Sequence, residues 1–250
     1  MRLPALAAAL TLIAAAVFSD VRAQTPSQQP AASGHPVVLE LYTSQGCSAC
    51  PRANRLVAQF ARDPNVVALT FPVGYWDYLG WTDTFAQPQF ASRQRDYARK
   101  LQFHGAFTPQ LILDGARQMS PDDWDEVRSA VNEERARPPR EGEPRVTITR
   151  SESGRVRVNI SGEAVRAMPA DIWLLSYEPG PLVVWVQRGD NANRTVLHYN
   201  LVSAISRVGQ WSGAPLWFER TRCSPQCAVL VQEQNGGPIL AAAMTRRETR

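Results

Sequence analysis

Cys47-Ser48-Ala49-Cys50 and Cys223-Ser224-Pro225-Gln226-Cys227 account for all 4 cysteines of the 250-residue chain. A C-x-x-C spacing closes a small ring without severe backbone strain, so the pair can alternate between dithiol and disulfide. Placed at the start of a helix, its first cysteine meets free N–H groups and partial positive charge, which favour the thiolate. A thiolate attacks a disulfide, and a neighbouring thiol then resolves the mixed disulfide. In this pattern Cys47 is the attacker and Cys50 the resolver. The second pair, Cys223 and Cys227, lies between two β segments and reads as a disulfide pinning a loop. Its sharper alternative is a second redox pair that passes electrons to or from Cys47 and Cys50.

Such chemistry needs a strand that delivers Cys47 and a helix that begins beside it, and both are legible. Val37 to Tyr42 is a continuous apolar run bounded by the polar Thr43-Ser44-Gln45-Gly46, as expected of a buried strand. Ala53, Leu56, Val57 and Phe60 fall at i, i+3, i+4 and i+7, one face of a helix that ends near Asp63-Pro64. Val66 to Phe71 is a second apolar strand, which completes a βαβ unit with parallel pairing. An aromatic loop, Tyr75 to Trp81, opens a helical insertion at about 75–103 that includes a helix over Pro88 to Gln102. Thr108-Pro109 introduces a strand over Gln110 to Leu113, and Asp114-Gly115 is a hairpin turn signal. The next helix is expected to be capped by Ser120, with Pro121 at its first position, and to stop at Pro138-Pro139.

Residues 138–145 read as a proline-rich linker, and 146–250 as a β-rich region packed on the first domain. Val146/Ile148 and Val156/Val158/Ile160 alternate across a turn, a hairpin signature. Ile172 to Tyr177, Leu182 to Gln187, Leu216 to Phe218 and Ala228 to Gln232 are further strand candidates. Asn200 to Trp211 is open between strand and short helix, and Gly189 to Thr195 reads as a turn.

The order of these elements resembles the thioredoxin fold over roughly residues 36–137. That resemblance implies a proline, often cis, facing the cysteine pair and keeping one edge open to a substrate backbone, the role it gives to Pro109. Glu40 is the only candidate for the buried acid of thioredoxins, one residue further from the first cysteine than that pattern expects. Leu39 to Pro51, Tyr75-Trp-Asp-Tyr-Leu-Gly-Trp81, Tyr97-Ala98, Thr108-Pro109-Gln110 and Arg188-Gly189-Asp190-Asn191 followed by Arg194-Thr195 are similar to a family of bacterial secreted proteins. That family is classed as a domain of unknown function with a thioredoxin-like fold. The fold class expected is therefore thioredoxin-like α/β with a β-rich C-terminal extension. Tyr75, Trp76, Asp77, Trp81 and Thr108 are candidates for a substrate groove beside the cysteines, where Trp and Tyr can anchor a peptide.

Arg2, the apolar stretch from Leu6 to Phe18 and Val21-Arg22-Ala23 compose a signal peptide over residues 1–23. The apolar stretch is short of the roughly 20 residues needed to span a bilayer. A flexible leader, 24–35, follows it. These features predict a periplasmic or secreted protein without stable membrane insertion after signal removal, in a compartment where disulfides persist. The net charge of +4 comes from Arg interspersed with acids, with Lys100 the sole lysine, which lacks the clustered footprint of a nucleic-acid binder.

Taken together, the residues predict thiol–disulfide exchange with exported protein thiols or disulfides, serviced by an unidentified redox partner and needing no cofactor. Two other readings stay open. One is a copper or zinc carrier using Cys47, Cys50 and His104. The other is a non-enzymatic binding module in which the first pair is a structural disulfide.

Overall fold

The computed structural model describes residues 36–151, 153–163, 169–220 and 223–245. The expected signal peptide and leader lie outside these residues. Strand β1 (Val37–Thr43), helix α1 (Cys50–Phe60) and strand β2 (Val66–Pro72) form the expected βαβ unit, with Val37 opposite Val66 and Thr43 opposite Pro72 in parallel register. Every residue of both strands is buried, as their unbroken apolar character requires when both sheet faces are covered. Val37, Leu39 and Leu41 meet Ala53, Leu56, Val57 and Phe60 of α1 on one face. Val38 and Tyr42 point to the other, where Phe90 and Tyr97 of α2 (Pro88–Lys100) cover them.

Strand β3 (Gln110–Leu113) runs antiparallel to β1, with Gln110 opposite Tyr42, and β4 (Arg117–Met119) pairs antiparallel with β3. The turn between them places Asp114 and Gly115 at φ +48° and +65°, backbone conformations that Asp and Gly accept most readily. Helix α3 (Trp124–Ala136) then returns to the α1 face through Val127, Ala130 and Val131. Its cap differs from expectation. Asp123, not Ser120, accepts the Glu126 N–H at 2.9 Å, and the helix begins three residues beyond Pro121. Several acceptors stand in a row before this helix, and the one three residues ahead of a free N–H takes the bond.

The second half contributes β5 (Arg145–Arg150), β6 (Val156–Ser161), β7 (Ala170–Glu178), β8 (Leu182–Val186), β9 (Arg194–His198), β10 (Leu201–Trp211), β11 (Leu216–Arg220), β12 (Gln226–Glu233) and β13 (Ile239–Met244). Four of them extend the first sheet, whose order is β13-β12-β7-β10-β2-β1-β3-β4. The junction is a short parallel contact in which Leu201 lies opposite Thr70. Three hydrogen bonds reinforce it: Thr70 N–H to the Asn200 carbonyl at 3.0 Å, Thr70 Oγ1 to the Tyr199 carbonyl at 2.7 Å, and Asn200 Nδ2 to the Ala68 carbonyl at 2.9 Å. The result is a β-rich mixed α/β architecture built on one large mixed sheet with few helices. A three-stranded sheet, β11-β6-β5, packs Val146, Val156, Val158 and Ile160 against Ile172, Trp211 and Val229 of the large sheet.

Residues 201–211, open between strand and helix in the sequence, form β10. Its pairing with β7 shifts register between Val202 and Ala204 and again between Arg207 and Gly209. Each bulge breaks the two-residue alternation that marks a strand. Strands β9 and β13 were not expected: the turn read over Gly189 to Thr195 takes in Arg194 and Thr195, the first two residues of β9, and Ala-rich β13 carries little strand propensity.

Cys223 and Cys227 are joined in a disulfide with a Cα–Cα distance of 5.5 Å. Arg150, at the end of β5, donates to the carbonyls of Cys223 and Pro225 at 3.0 and 3.1 Å, which fastens this loop to the smaller sheet. Among the described residues no helix is long and apolar enough to cross a membrane.

Candidate functional site

Strand β1 ends at Thr43, and α1 begins at Cys50, so both cysteines of the first pair sit in the turn that joins them. Cys47 and Cys50 form a disulfide with a Cα–Cα distance of 5.4 Å, within the ordinary range. Cys47 is 5% exposed and Cys50 fully buried, while Ser48 and Ala49 between them are exposed. The first turn of α1 holds Pro51 and no acidic residue. The partial positive charge of this helix end is therefore not offset by a carboxylate of its own first turn.

Residues distant in the chain fix the loop. Gln45 is wholly buried and has each of its polar groups occupied. Its N–H donates to Asp83 Oδ2 at 2.7 Å, its side-chain amide donates to Thr84 Oγ1 at 3.2 Å, and its Oε1 accepts from Trp81 Nε1 at 2.9 Å. Asn191, also fully buried, donates to the Gln45 carbonyl at 3.0 Å and to the Cys47 carbonyl at 2.7 Å. The Cys47 carbonyl also accepts the Cys50 N–H at 3.2 Å within the turn, and Asn191 adds the donor that ties the turn to a distant part of the chain, so Asn191 is a positioning residue for the cysteine turn. Behind the turn, Thr43 Oγ1 donates to Asn54 Oδ1 at 2.8 Å, and Asn54 Nδ2 donates to the Leu197 carbonyl at 2.9 Å. Asn54 Nδ2 also lies 3.4 Å from Nδ1 of His198, whose ring is buried edge-on against Phe85. Burial pulls the His198 imidazole down to about 4, so it is neutral at physiological pH.

Asp83 is the acidic member of this clasp. Burial pushes its carboxyl up to about 6, against the hydrogen bonds from Gln45 and Phe85 that favour the ionised form. The unfolded value lies near 3.9, so between about pH 4 and 6 the folded chain holds a proton that the unfolded chain has released. This contribution to stability is fully present below pH 4 and is lost as pH rises through 6, by about 2–3 kcal/mol in all. Urea unfolding of the wild type and of Asp83→Asn across that window is expected to show the wild type losing this amount relative to the variant. Parallel curves would remove Asp83 from the account.

The aromatic segment and Thr108-Pro109 complete the surroundings. Thr43 ends β1 at the level where β3 begins with Gln110, so Pro109 stands at the same end of the sheet as the cysteine turn. The Thr108–Pro109 bond is cis. Trp76 bridges the two loops. Its Nε1 donates to Thr108 Oγ1 at 2.6 Å, and a Cβ added at Gly46 would stand only 3.2 Å from the Trp76 Cβ. Gln94 of α2 donates to the Phe107 carbonyl and to Gln110 Oε1 at 2.8 and 2.7 Å, holding the proline loop from behind. Tyr75 reaches the same glutamine at 3.4 Å, and burial pushes its hydroxyl up to about 12. Tyr78, 75% exposed, stacks on Trp76 with ring centroids 6.1 Å apart. Asp77 acts one step away from the cysteine turn, where its Oδ1 accepts the Asp83 N–H at 3.0 Å.

The family described as "Protein of unknown function (DUF1223)" matches residues 38–232, from β1 to β12. The chain belongs to this family. A crystal structure of the protein AGR_C_4864 from Agrobacterium tumefaciens is similar to it at a TM-score of 0.72 and 26% identity, over 88% of this chain and 98% of that one. HBP35 of Porphyromonas gingivalis aligns at a TM-score of 0.54 and 14% identity, over 87% of this chain and 78% of that one, a likeness of fold alone. No curated protein matches the chain.

Within the DUF1223 region the site candidates fall into separate places. Cys47, Cys50, Trp76, Trp81, Thr108 and Pro109 share one end of the sheet, whereas Cys223 and Cys227 lie at the start of β12. Glu40 is on the α2 face of β1 and is engaged by Arg93, whose Nη2 lies 2.7 Å from Glu40 Oε1. It is therefore an ion-pair partner rather than a proton acceptor for the cysteines. His104 is exposed, and among the described residues no group of three or more His, Cys, Asp or Glu side chains is placed to hold a metal. Gln45, Asp83, Asn54, His198 and Asn191 were missed by sequence reasoning. Of these, Asn191 and Gln45 carried a signal, as members of the Arg188-Gly189-Asp190-Asn191 and Leu39 to Pro51 runs.

Proposed function

We propose that this protein is a thiol–disulfide oxidoreductase on a thioredoxin-like fold, working in an oxidising compartment outside the cytoplasm. The observation that carries this reading is the Cys47–Cys50 disulfide at the start of α1, with Cys47 slightly exposed and Cys50 fully enclosed. The element order β1-α1-β2-α2-β3-β4-α3 and the strand order β2-β1-β3-β4 within the large sheet support the fold assignment. Two disulfides support the compartment.

In the reducing direction the Cys47 thiolate attacks one sulfur of a substrate disulfide, and the other leaves as a thiolate that takes up a proton. Cys50 then loses its proton and attacks Cys47 in the mixed disulfide, which releases the second substrate thiol and closes the Cys47–Cys50 bond. In the oxidising direction a substrate thiolate opens that bond by the reverse steps. Asn191, Gln45 and Asp83 hold the turn in place through both half-reactions. Trp76, Tyr78 and Pro109 form the edge along which a substrate backbone lies. The partners are exported protein thiols or disulfides, and a redox partner that restores the starting state.

The test is the reduction potential of the pair, measured against glutathione with Cys223 and Cys227 replaced by Ser. A reversible value between about −120 and −270 mV is expected of a catalytic exchanger. A value below about −300 mV marks a structural disulfide and overturns the proposal.

A further inference from the structure

Beside the exposed Ser48-Ala49 face of the cysteine turn lies an open pocket of about 590 Å³ whose charged lining is three arginines and one aspartate: Arg52 and Arg55 of α1, Arg194 of β9, and Asp122. The three arginines are not equivalent. Arg52 is committed to its surroundings, donating to the Asp122 carbonyl at 3.1 Å, lying 3.9 Å from the Asp122 carboxylate and resting over the Trp124 ring at 5.9 Å. Asp122 is thereby taken up by Arg52. Arg55 and Arg194 are both exposed, and neither has a carboxylate partner among the described residues. Two guanidiniums from different elements thus open onto one pocket, next to the only exposed residues of the turn.

A guanidinium presents a planar fork of donors that matches a carboxylate, and it is always charged. A polypeptide joined to Cys47 through a mixed disulfide and laid along Trp76, Tyr78 and Pro109 brings the residues flanking its cysteine close to Ser48 and Ala49, the exposed residues of the turn. Those residues meet a pocket with two uncommitted positive charges. We propose that the pocket selects substrates in which Asp or Glu residues flank the reacting cysteine, so that this protein exchanges disulfides preferentially with acidic polypeptide segments. The inference rests on the thiol–disulfide reading and gives it a substrate class. It also assigns Arg55 and Arg194 as specificity residues that never touch the reacting sulfurs. Their effect is electrostatic and lies near the surface, so it is sensitive to salt.

The experiment compares the reduced protein with three peptides that carry one cysteine as a mixed disulfide with 2-thiopyridine, flanked by Glu, by Gln or by Lys. At low salt the Glu peptide is expected to react at least about tenfold faster than the Lys peptide, and about 0.5 M salt is expected to erase most of that ratio. The double variant Arg55→Glu/Arg194→Glu is expected to abolish or invert the preference, and Arg55→Gln/Arg194→Gln to weaken it. Equal rates with the three peptides, or a preference that survives charge reversal, overturn the proposal.

Binding separates this outcome from failure of the redox reading. Anisotropy of a labelled, cysteine-free Glu peptide on Cys47→Ser/Cys50→Ser protein reads the pocket without any exchange. Loss of at least about tenfold in affinity on charge reversal keeps the pocket as an acidic-segment site even if no peptide exchanges, in which case only the redox reading fails. No binding of the Glu peptide, or binding indifferent to charge reversal, overturns the pocket assignment itself.

Discussion

Cys50→Ala is expected to turn a transient mixed disulfide into a stable adduct, whereas Cys47→Ala abolishes exchange. The asymmetry follows from burial. Cys47 keeps 5% of its surface and Cys50 none, so the first is the more accessible of the two to an incoming sulfur. Without Cys50 no internal thiol stands near enough to resolve the adduct, and the mixed disulfide persists until an external thiol enters. Without Cys47 the remaining thiol is enclosed, and the rate falls by on the order of a thousandfold or more, as when a nucleophile is removed outright. Mass spectrometry of each variant after incubation with a disulfide-bearing peptide decides the matter. A one-peptide adduct on Cys50→Ala and none on Cys47→Ala is the expected pattern. Adducts of equal yield on both variants would mean that the two sulfurs have no fixed roles.

The largest stability effect is expected at Glu40. Its carboxylate is fully buried and receives Arg93 Nη2 at 2.7 Å and Nε at 3.2 Å, while Tyr42 donates to it at 3.3 Å. Arg93 also donates to the Tyr97 hydroxyl at 2.9 Å and lies over the rings of Tyr97 and Trp173 at 5.2 and 5.5 Å. Burial works against the guanidinium charge, but the Glu40 carboxylate beside it outweighs that penalty and holds Arg93 protonated. Glu40→Ala leaves this cation enclosed and uncompensated, a loss of about 3–5 kcal/mol from a total stability typically of about 5–15 kcal/mol. Urea unfolding should show the midpoint falling accordingly. Pairing Glu40→Ala with Arg93→Met removes the stranded charge and should restore most of the stability. A single variant as stable as the wild type would show that the ion pair contributes little.

The parts of the fold that could be read from the sequence are those where one face of an element is apolar throughout. Strands β1 and β2 are nearly continuous apolar runs, helix α1 has a clean helical periodicity, and the Asp114-Gly115 turn is specified by residues that tolerate its backbone. Strand β10 was ambiguous because two bulges interrupt its alternation. The site divides in the same way. Cys47, Cys50, Trp76 and Pro109 announce themselves by type and spacing. The clasp on Gln45 does not, because Asp83 and Asn191 are ordinary polar residues whose partners lie 38 and 146 positions away. Local pattern is blind to a hydrogen bond that only the packed sheet brings into reach. Glu40 shows the converse, a residue noticed for its proximity to the cysteines in sequence whose side chain leaves on the opposite sheet face to α1.

The bond from Asn191 to the Cys47 carbonyl spans 144 residues, and this separation bears on how the protein comes into being. Synthesis runs from the N-terminus, so both cysteines of the turn emerge well before the residue that clamps them. Through that interval the turn lacks its clamp, and the Gln45 and Cys47 carbonyls are without the Asn191 amide that later holds them. The second half of the chain is therefore a late-arriving lock. A fragment ending at Pro138-Pro139 carries both sulfurs but never receives it.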